Sequence, residues 1–294
     1  MSDSRPSASL ASAADAQADA RLAQGQPPSP DETAPWLEAE ALAFGYDGRP
    51  VLENFSLQLR PGRHYVMIGP NGAGKSTALD LLARLKRPSA GRVRLLGRDL
   101  TAYRPPELAR LLALAPQSSQ FSFAFTVREA VALGRRPWLG RWGRLTDDDE
   151  RQVETALAQL NLTALADKPV TALSGGEAQR AVLARALAQD AQVTLFDEPT
   201  GSLDVAQALE LMERVAELCR GGRLCLTVTH DLALAAVYGE EIILLKAGRL
   251  VAAGPRDAVL TARRLSEVFE AEVDVRTDDF AGGLGLSFRR RRAF

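Results

Sequence analysis

The sequence predicts an α/β fold: a mainly parallel β-sheet covered by helices on both faces. Short apolar runs alternate along the chain with segments of helical period, the pattern of strands linked by crossover helices. Several of the runs, such as His64–Ile68 and Leu224–Val228, are continuously apolar, as in strands buried on both sides. A glycine-rich loop, Gly69–Thr77, sits between such a run and a helical pattern. The 294 residues are 46% apolar and 25% charged, enough for a real core. With 36 Lys plus Arg against 37 Asp plus Glu, the net charge of −1 argues against a dedicated nucleic-acid binder. No stretch approaches the roughly 18 uninterrupted apolar residues of a membrane-spanning helix. Cys219 and Cys225 cannot frame a disulfide-rich fold, and are expected as reduced thiols near a buried strand, which suits the cytosol.

Residues 1–34 are rich in Ala, Ser, Gln, Asp and Pro and are expected to form a disordered tail. They lack the basic start and apolar centre of a signal peptide. Order is expected from Trp36. Leu37–Phe44 and Val51–Leu59 are strand-like, the second placing Val51, Glu53, Phe55, Leu57 and Leu59 on one face. After the His64–Ile68 strand come a helix over Thr77–Lys86, an extended Arg92–Leu96 and a helix over Pro106–Leu112. Thr146 caps a helix whose apolar face is Val153, Leu157 and Leu160, with Asp149 as the reciprocal capping residue. An Ala-rich helix spans Ala178–Ala188, and Thr194–Phe196 and Leu224–Val228 are further buried strands. Residues 255–288 carry a short helical and strand-like extension with Val268, Phe269, Val273 and Val275 near its centre. Arg289–Arg292 is expected to be a solvated basic tail.

Gly69-Pro70-Asn71-Gly72-Ala73-Gly74-Lys75-Ser76-Thr77 matches G-x-x-x-x-G-K-[ST]. Its glycines let several backbone N–H groups and a helix N-terminus point at one anion. Lys75 is placed to reach the β- and γ-phosphates, and Ser76 to offer a hydroxyl to Mg²⁺. The complementary acid follows the run Val193–Phe196: Asp197 suits Mg²⁺, and Glu198 suits orienting and deprotonating a water. Together these motifs describe a nucleoside triphosphatase. The Asn-Lys-x-Asp string expected of a GTPase does not occur.

Leu173-Ser174-Gly175-Gly176-Glu177, ending 20 residues before Asp197, resembles the signature of the ABC-type ATPases. The resemblance covers roughly residues 37–260. It implies a P-loop NTPase of ABC ATPase type: a RecA-like core, an antiparallel β-subdomain and an inserted helical subdomain at about 118–172, within an ATPase domain spanning 35–260 and followed by a 261–294 extension. It implies ATP and Mg²⁺ as ligands, and a head-to-tail homodimer in which Ser174, Gly175 and Gly176 of one subunit face the γ-phosphate held by the other. Gln117 resembles the family's glutamine that senses Mg²⁺ and contacts the transport partner, and Asp204, in Ser202-Leu203-Asp204, the loop that communicates across the dimer. His230 resembles the histidine that pins the γ-phosphate, and Tyr46 the aromatic that stacks on adenine. His64 has no such counterpart and is expected to be structural. Ala178 and Gly201 depart from commoner family residues without touching a group assigned to chemistry.

One cassette without a membrane span implies the motor of a larger transporter, a peripheral subunit on the cytoplasmic face of the inner membrane beneath integral-membrane permease subunits. The stretch Phe125–Gly140, the helix opened by Thr146, and the runs Thr229–Ala236 and Gly248–Gly254 resemble ATPases that import ferric siderophores, cobalamin or haem, whose cargo is delivered by a substrate-binding protein. Zinc or manganese transport and a non-transport ABC regulator are the alternatives. Trp138 and Trp142 either pack within the helical subdomain or meet the permease.

Overall fold

A computed structural model describes residues 34–117, 125–139, 143–280 and 282–290. The expected tail at 1–34, but for Ala34, lies outside them, as do Trp142, Arg291 and Arg292. Strands β1 (Leu37–Tyr46) and β2 (Arg49–Leu59) are antiparallel and joined by Asp47-Gly48. Both turn residues have positive φ, 48° and 78°, as a two-residue type I′ connection demands. Strand β3 (His64–Ile68) is buried throughout and runs through the glycine loop into helix α1 (Lys75–Leu82). Strands β4 (Ala90–Leu95) and β5 (Arg98–Asp99) join the hairpin to make a four-stranded antiparallel sheet ordered β2-β1-β4-β5. Helix α2 (Pro105–Leu111) leads into β6 (Leu112–Ala115). A helical region follows: α3 (Val127–Ala132), α4 (Asp147–Gln159) and α5 (Gly175–Ala188). The chain then alternates through β7 (Val193–Asp197), α6 (Val205–Arg220), β8 (Leu224–Val228), α7 (Leu232–Tyr238) and β9 (Glu241–Lys246). It finishes with β10 (Arg249–Pro255), α8 (Arg256–Val259), α9 (Ala262–Phe269) and a hairpin of β11 (Ala271–Asp278) and β12 (Gly283–Arg290).

The second sheet has the order β10-β9-β3-β8-β7-β6 and is parallel from β9 to β6, with β10 antiparallel at its edge. The predicted mainly parallel sheet is present, and an apolar layer lies on either side. One face packs Leu195, Leu226 and Ile243 against Leu79 and Leu82 of α1 and against the antiparallel sheet through Phe55 and Leu59. The other packs Phe196 and Cys225 on Leu183, Val215 and Val153, and Val66, Ile242 and Leu244 on the C-terminal segment.

Three expectations are corrected. In β2 the buried residues are Leu52, Phe55, Leu57 and Leu59, so Val51 and Glu53 are out of phase with the rest. Asn54 takes φ 49°, and the β1–β2 register shifts between Leu42 and Phe44; the irregularity moves the pleat by one residue. The helix expected to run to Lys86 stops at Leu82, because Ala83 N–H and Arg84 N–H turn back onto Leu79 and Leu81 carbonyls and Arg84 enters the left-handed region at φ 58°. Arg289 is solvated as expected but is not tail: it lies in β12 and is bound bidentately across the hairpin to Glu272, at 2.6 and 3.0 Å.

The C-terminal segment packs onto the parallel sheet. Leu265, Val268 and Val273 are buried with Val66, Ile68, Ala235 and Leu244 in one apolar cluster. In the helical region Arg135 and Asp149 form a buried ion pair at 2.8 Å, and Arg135 also donates to Ala188 O at 2.9 Å. Trp138 packs beside this pair, its ring 5.1 Å from the Arg135 guanidinium and its indole N–H donating to Gln189 O at 2.7 Å. No helix among the described residues is long and apolar enough to cross a membrane.

Candidate nucleotide site

Strand order builds the site. In the sequence β3, β6, β7 and β8 are far apart, but in the sheet they lie side by side as β3-β8-β7-β6. Each is parallel to its neighbour, so their carboxyl ends share one edge, where ligands of open α/β sheets bind. Gly69 follows β3, His230 follows β8, Asp197 and Glu198 end β7, and Gln117 follows β6. Four motifs spread over about 160 residues thus become one cluster.

The Gly69–Thr77 loop is held from behind. Ala73 is buried, and its carbonyl accepts from Gly248 N–H at 3.1 Å. Gly74 caps α1 with φ 94° and lies against Leu52 and the Val51 carbonyl, where a side chain would meet both at 3.0 Å. Pro70 O accepts from Ala73 N–H at 3.1 Å, closing the turn, while Asn71 and Gly72 face solvent. Lys75 is only 7% exposed and folds over the loop, donating to Gly69 O at 2.8 Å and Pro70 O at 3.1 Å. Burial lowers its ammonium below the ordinary lysine value, and the negative charges of Glu198 and Asp197 partly oppose this. Thr77 is buried at the base of α1.

Ser76 Oγ donates to Asp197 Oδ1 at 3.2 Å, bringing a hydroxyl and a carboxylate together across β3 and β7. Burial pushes the Asp197 carboxyl up; nearby Glu198 and Asp80 add to the rise, and Ser76 and Lys75 oppose it. Oxygen donors beside an excess of buried negative charge are what a hard divalent cation neutralises, so the residues fit Mg²⁺. Among the described residues no group of three or more His, Cys, Asp or Glu side chains forms a ready-made metal cage. Glu198 sits at φ 45°, its N–H donating to Val228 O at 2.9 Å. Its Oε2 accepts from Gln117 Nε2 at 3.0 Å and lies 3.1 Å from His230 Nδ1. His230 remains largely exposed, leaving its other nitrogen toward solvent.

The other expected residues lie elsewhere. Ser174 caps α5, its N–H and hydroxyl both bonded to Glu177 at 2.7 and 2.8 Å, and Gly176 packs on Ser202 O. No hydrogen bond among the described residues joins Ser174–Gly176 to the Gly69–Thr77 loop of the same chain. Asp204 is the N-cap of α6, accepting from Gln207 N–H at 2.9 Å. Tyr46, at the end of β1, is 46% exposed with Phe44 edge-on at 5.0 Å. His64 is buried at the opposite end of β3, between Tyr238 O at 3.1 Å and Thr227 Oγ1 at 2.9 Å. Sequence reasoning gave no part to Lys86 and Asp80, which meet beside Tyr46; their spacing across the end of α1 was the only signal.

A glycine loop at a helix start, with a hydroxyl–carboxylate pair and a polar trio at the carboxyl edge of a parallel sheet, defines a P-loop nucleoside triphosphatase. The chain belongs to the ABC transporter family, whose model matches residues 52–201. It is 42% identical over 258 residues to the hemin import ATP-binding protein of Streptomyces coelicolor, covering 87% of this chain and 91% of the relative. It is 37% identical to the iron(3+)-hydroxamate import ATP-binding protein of Bacillus subtilis, covering 82% and 90%. A solved ATP-binding cassette, a dimer in a post-hydrolysis state bound to ADP and Pi, superposes with a TM-score of 0.67 at 27% identity over 75% of this chain and 98% of its own. The chain is the ATP-binding motor subunit of an ABC importer, an ATPase.

Proposed function

We propose that two copies of this chain, docked beneath permease subunits at the cytoplasmic face of the inner membrane, power uptake of a ferric siderophore, haem or cobalamin handed over by a substrate-binding protein. The observation that carries the chemistry is the convergence of Gln117 Nε2 and His230 Nδ1 on Glu198 Oε2, beside the Ser76–Asp197 pair. The backbone N–H groups of Gly74–Thr77 at the start of α1 bind the phosphates, and Lys75 exchanges its two carbonyl partners for β- and γ-phosphate oxygens. Ser76, Asp197 and Gln117 would hold Mg²⁺, which when bound supplies positive charge to the phosphate oxygens. Glu198, oriented by its two neighbours, accepts a proton from the attacking water, and His230 stabilises charge developing on the γ-phosphate. Ser174, Gly175 and Gly176 offer a helix N-terminus to the γ-phosphate of the second copy. Their separation from the loop within one chain supports that reading, and Asp204 lies beside them to relay the approach of the two copies.

The curated relatives named for hemin and iron(3+)-hydroxamate import support the cargo class. Its test is uptake of labelled ferric siderophore, haem and cobalamin in cells lacking the gene, complemented with the native chain or Lys75→Ala. Loss of one cargo, restored by the native chain alone, is the expected result. Unchanged entry of all three, with redundant systems removed, overturns the cargo class and points to zinc, manganese or another substrate.

A further inference from the structure

One side chain ties Tyr46 to helix α1. The backbone N–H groups of Leu85 and Lys86 both donate to Asp80 O, at 2.8 and 3.2 Å, so the chain after α1 is wound back against it. The Lys86 ammonium then returns to the Asp80 carboxylate as an ion pair. It lies 5.3 Å from the centroid of the Tyr46 ring, with the Tyr46 hydroxyl as a polar partner. The cation thus has two holds on the ring, the hydroxyl and the π face. Phe44 meets the same ring at 87°. An exposed tyrosine at a strand end would otherwise spread over several rotamers, and a base stacking on it would have to order it.

We propose that Lys86 is a positioning residue for the nucleotide base: braced on Asp80 of α1, it holds the Tyr46 ring by its hydroxyl in the orientation on which a purine stacks. Base recognition is thereby coupled to the same helix whose N-terminus receives the phosphates. The inference rests on the reading of Tyr46 as the residue that stacks on the base. On this reading Lys86 acts through the Tyr46 ring and not on the phosphates, so its removal weakens binding of the whole nucleotide and leaves the phosphate grip intact.

The test compares equilibrium binding of ATP and of inorganic tripolyphosphate, both with Mg²⁺, to the full chain and to Lys86→Ala, Lys86→Arg, Tyr46→Phe and Tyr46→Ala. Lys86→Ala and Tyr46→Phe are each expected to weaken ATP binding about three- to tenfold, with tripolyphosphate unchanged. Lys86→Arg restores most of the loss, Tyr46→Ala loses at least as much, and Lys86→Ala keeps kcat at saturating ATP. If Tyr46→Ala weakens ATP while Lys86→Ala binds it as well as or better than the native chain, the positioning role is overturned. If Lys86→Ala weakens tripolyphosphate equally, the lysine supports α1 and not the base, which also overturns it. If Tyr46→Ala binds ATP normally, the stacking reading itself fails and takes the inference with it.

Discussion

His230 Nδ1 lies 3.1 Å from Glu198 Oε2, a contact between residues 32 apart in sequence. It exists because β7 and β8 are adjacent and parallel, with Asp197 opposite Val228 at the sheet edge. The Val228 carbonyl also fixes the Glu198 backbone, so both ends of Glu198 are positioned by the strand that carries His230.

Glu198→Gln keeps the shape of this contact and removes the proposed base. Turnover should fall about 10²- to 10⁴-fold, the range of general base catalysis, while ATP binding stays within a few-fold of native. Steady-state hydrolysis together with equilibrium ATP binding checks it, and hydrolysis at the native rate would assign the base elsewhere.

On the proposed phosphate contacts, Lys75→Ala removes two charge-assisted hydrogen bonds, and ATP affinity should fall at least about a hundredfold. In a thermal unfolding experiment with ATP at about 100 times its native Kd, the native chain gains about 2.7 kcal/mol and the variant nearly nothing. Equal stabilisation of both would contradict the role of the loop.

His64 predicts a pH dependence of stability. Its Nδ1–H donates to Tyr238 O and its Nε2 meets the Thr227 hydroxyl, which can donate to a neutral ring. Burial lowers its pKa from the ordinary 6.5 to about 4, against the smaller opposing effect of the Tyr238 carbonyl. Above pH 6.5 the ring is neutral in both states and its contribution is complete. As pH falls, the unfolded chain takes up a proton that the folded core resists until about pH 4, so stability drops by about 3 kcal/mol across that window. Urea unfolding at several pH values should show a shallower slope for His64→Gln, whatever its offset at neutral pH.

The Arg135–Asp149 pair predicts the cost of unpairing a buried charge. Arg135→Ala leaves Asp149 buried with Thr146 as its remaining partner, and should destabilise the chain by about 3–5 kcal/mol. A double variant, Arg135→Met with Asp149→Asn, should recover part of that loss in denaturant melts. Trp138 fluorescence reports the same event, since its ring leans on the guanidinium.

The parts of the site that follow strand ends were legible because their chemistry is local: Gly69–Thr77 and Asp197-Glu198 need only a run, a turn and the right side chains. The buried strands His64–Ile68 and Leu224–Val228 were legible with their full bounds, since continuous burial leaves an unbroken apolar string. The Thr146–Asp149 capping box was legible too, but not Arg135 as the second partner of Asp149, because the two are 14 residues apart and meet only through tertiary packing. The pairing of Arg289 with Glu272 was hidden in the same way: four successive arginines give no hint of a strand, and the turn of the β11–β12 hairpin carries no strong two-residue signature. The grip of Lys86 on Tyr46 depends on how β1 lies beside the end of α1, which no spacing encodes.

Strand β3 stands at the middle of its sheet, yet both of its neighbours, β8 and β9, come near the end of the chain. A ribosome adding about 5–20 residues per second passes the roughly 180 residues between Gly69 and the end of β9 in about 10–40 s. Until β8 is made, late in that interval, the apolar His64–Ile68 segment has neither of its partner strands and the glycine loop lacks the sheet that frames it. ATP can therefore neither assist nor hasten the early part of biosynthesis. Nucleotide binding is among the last properties this polypeptide acquires.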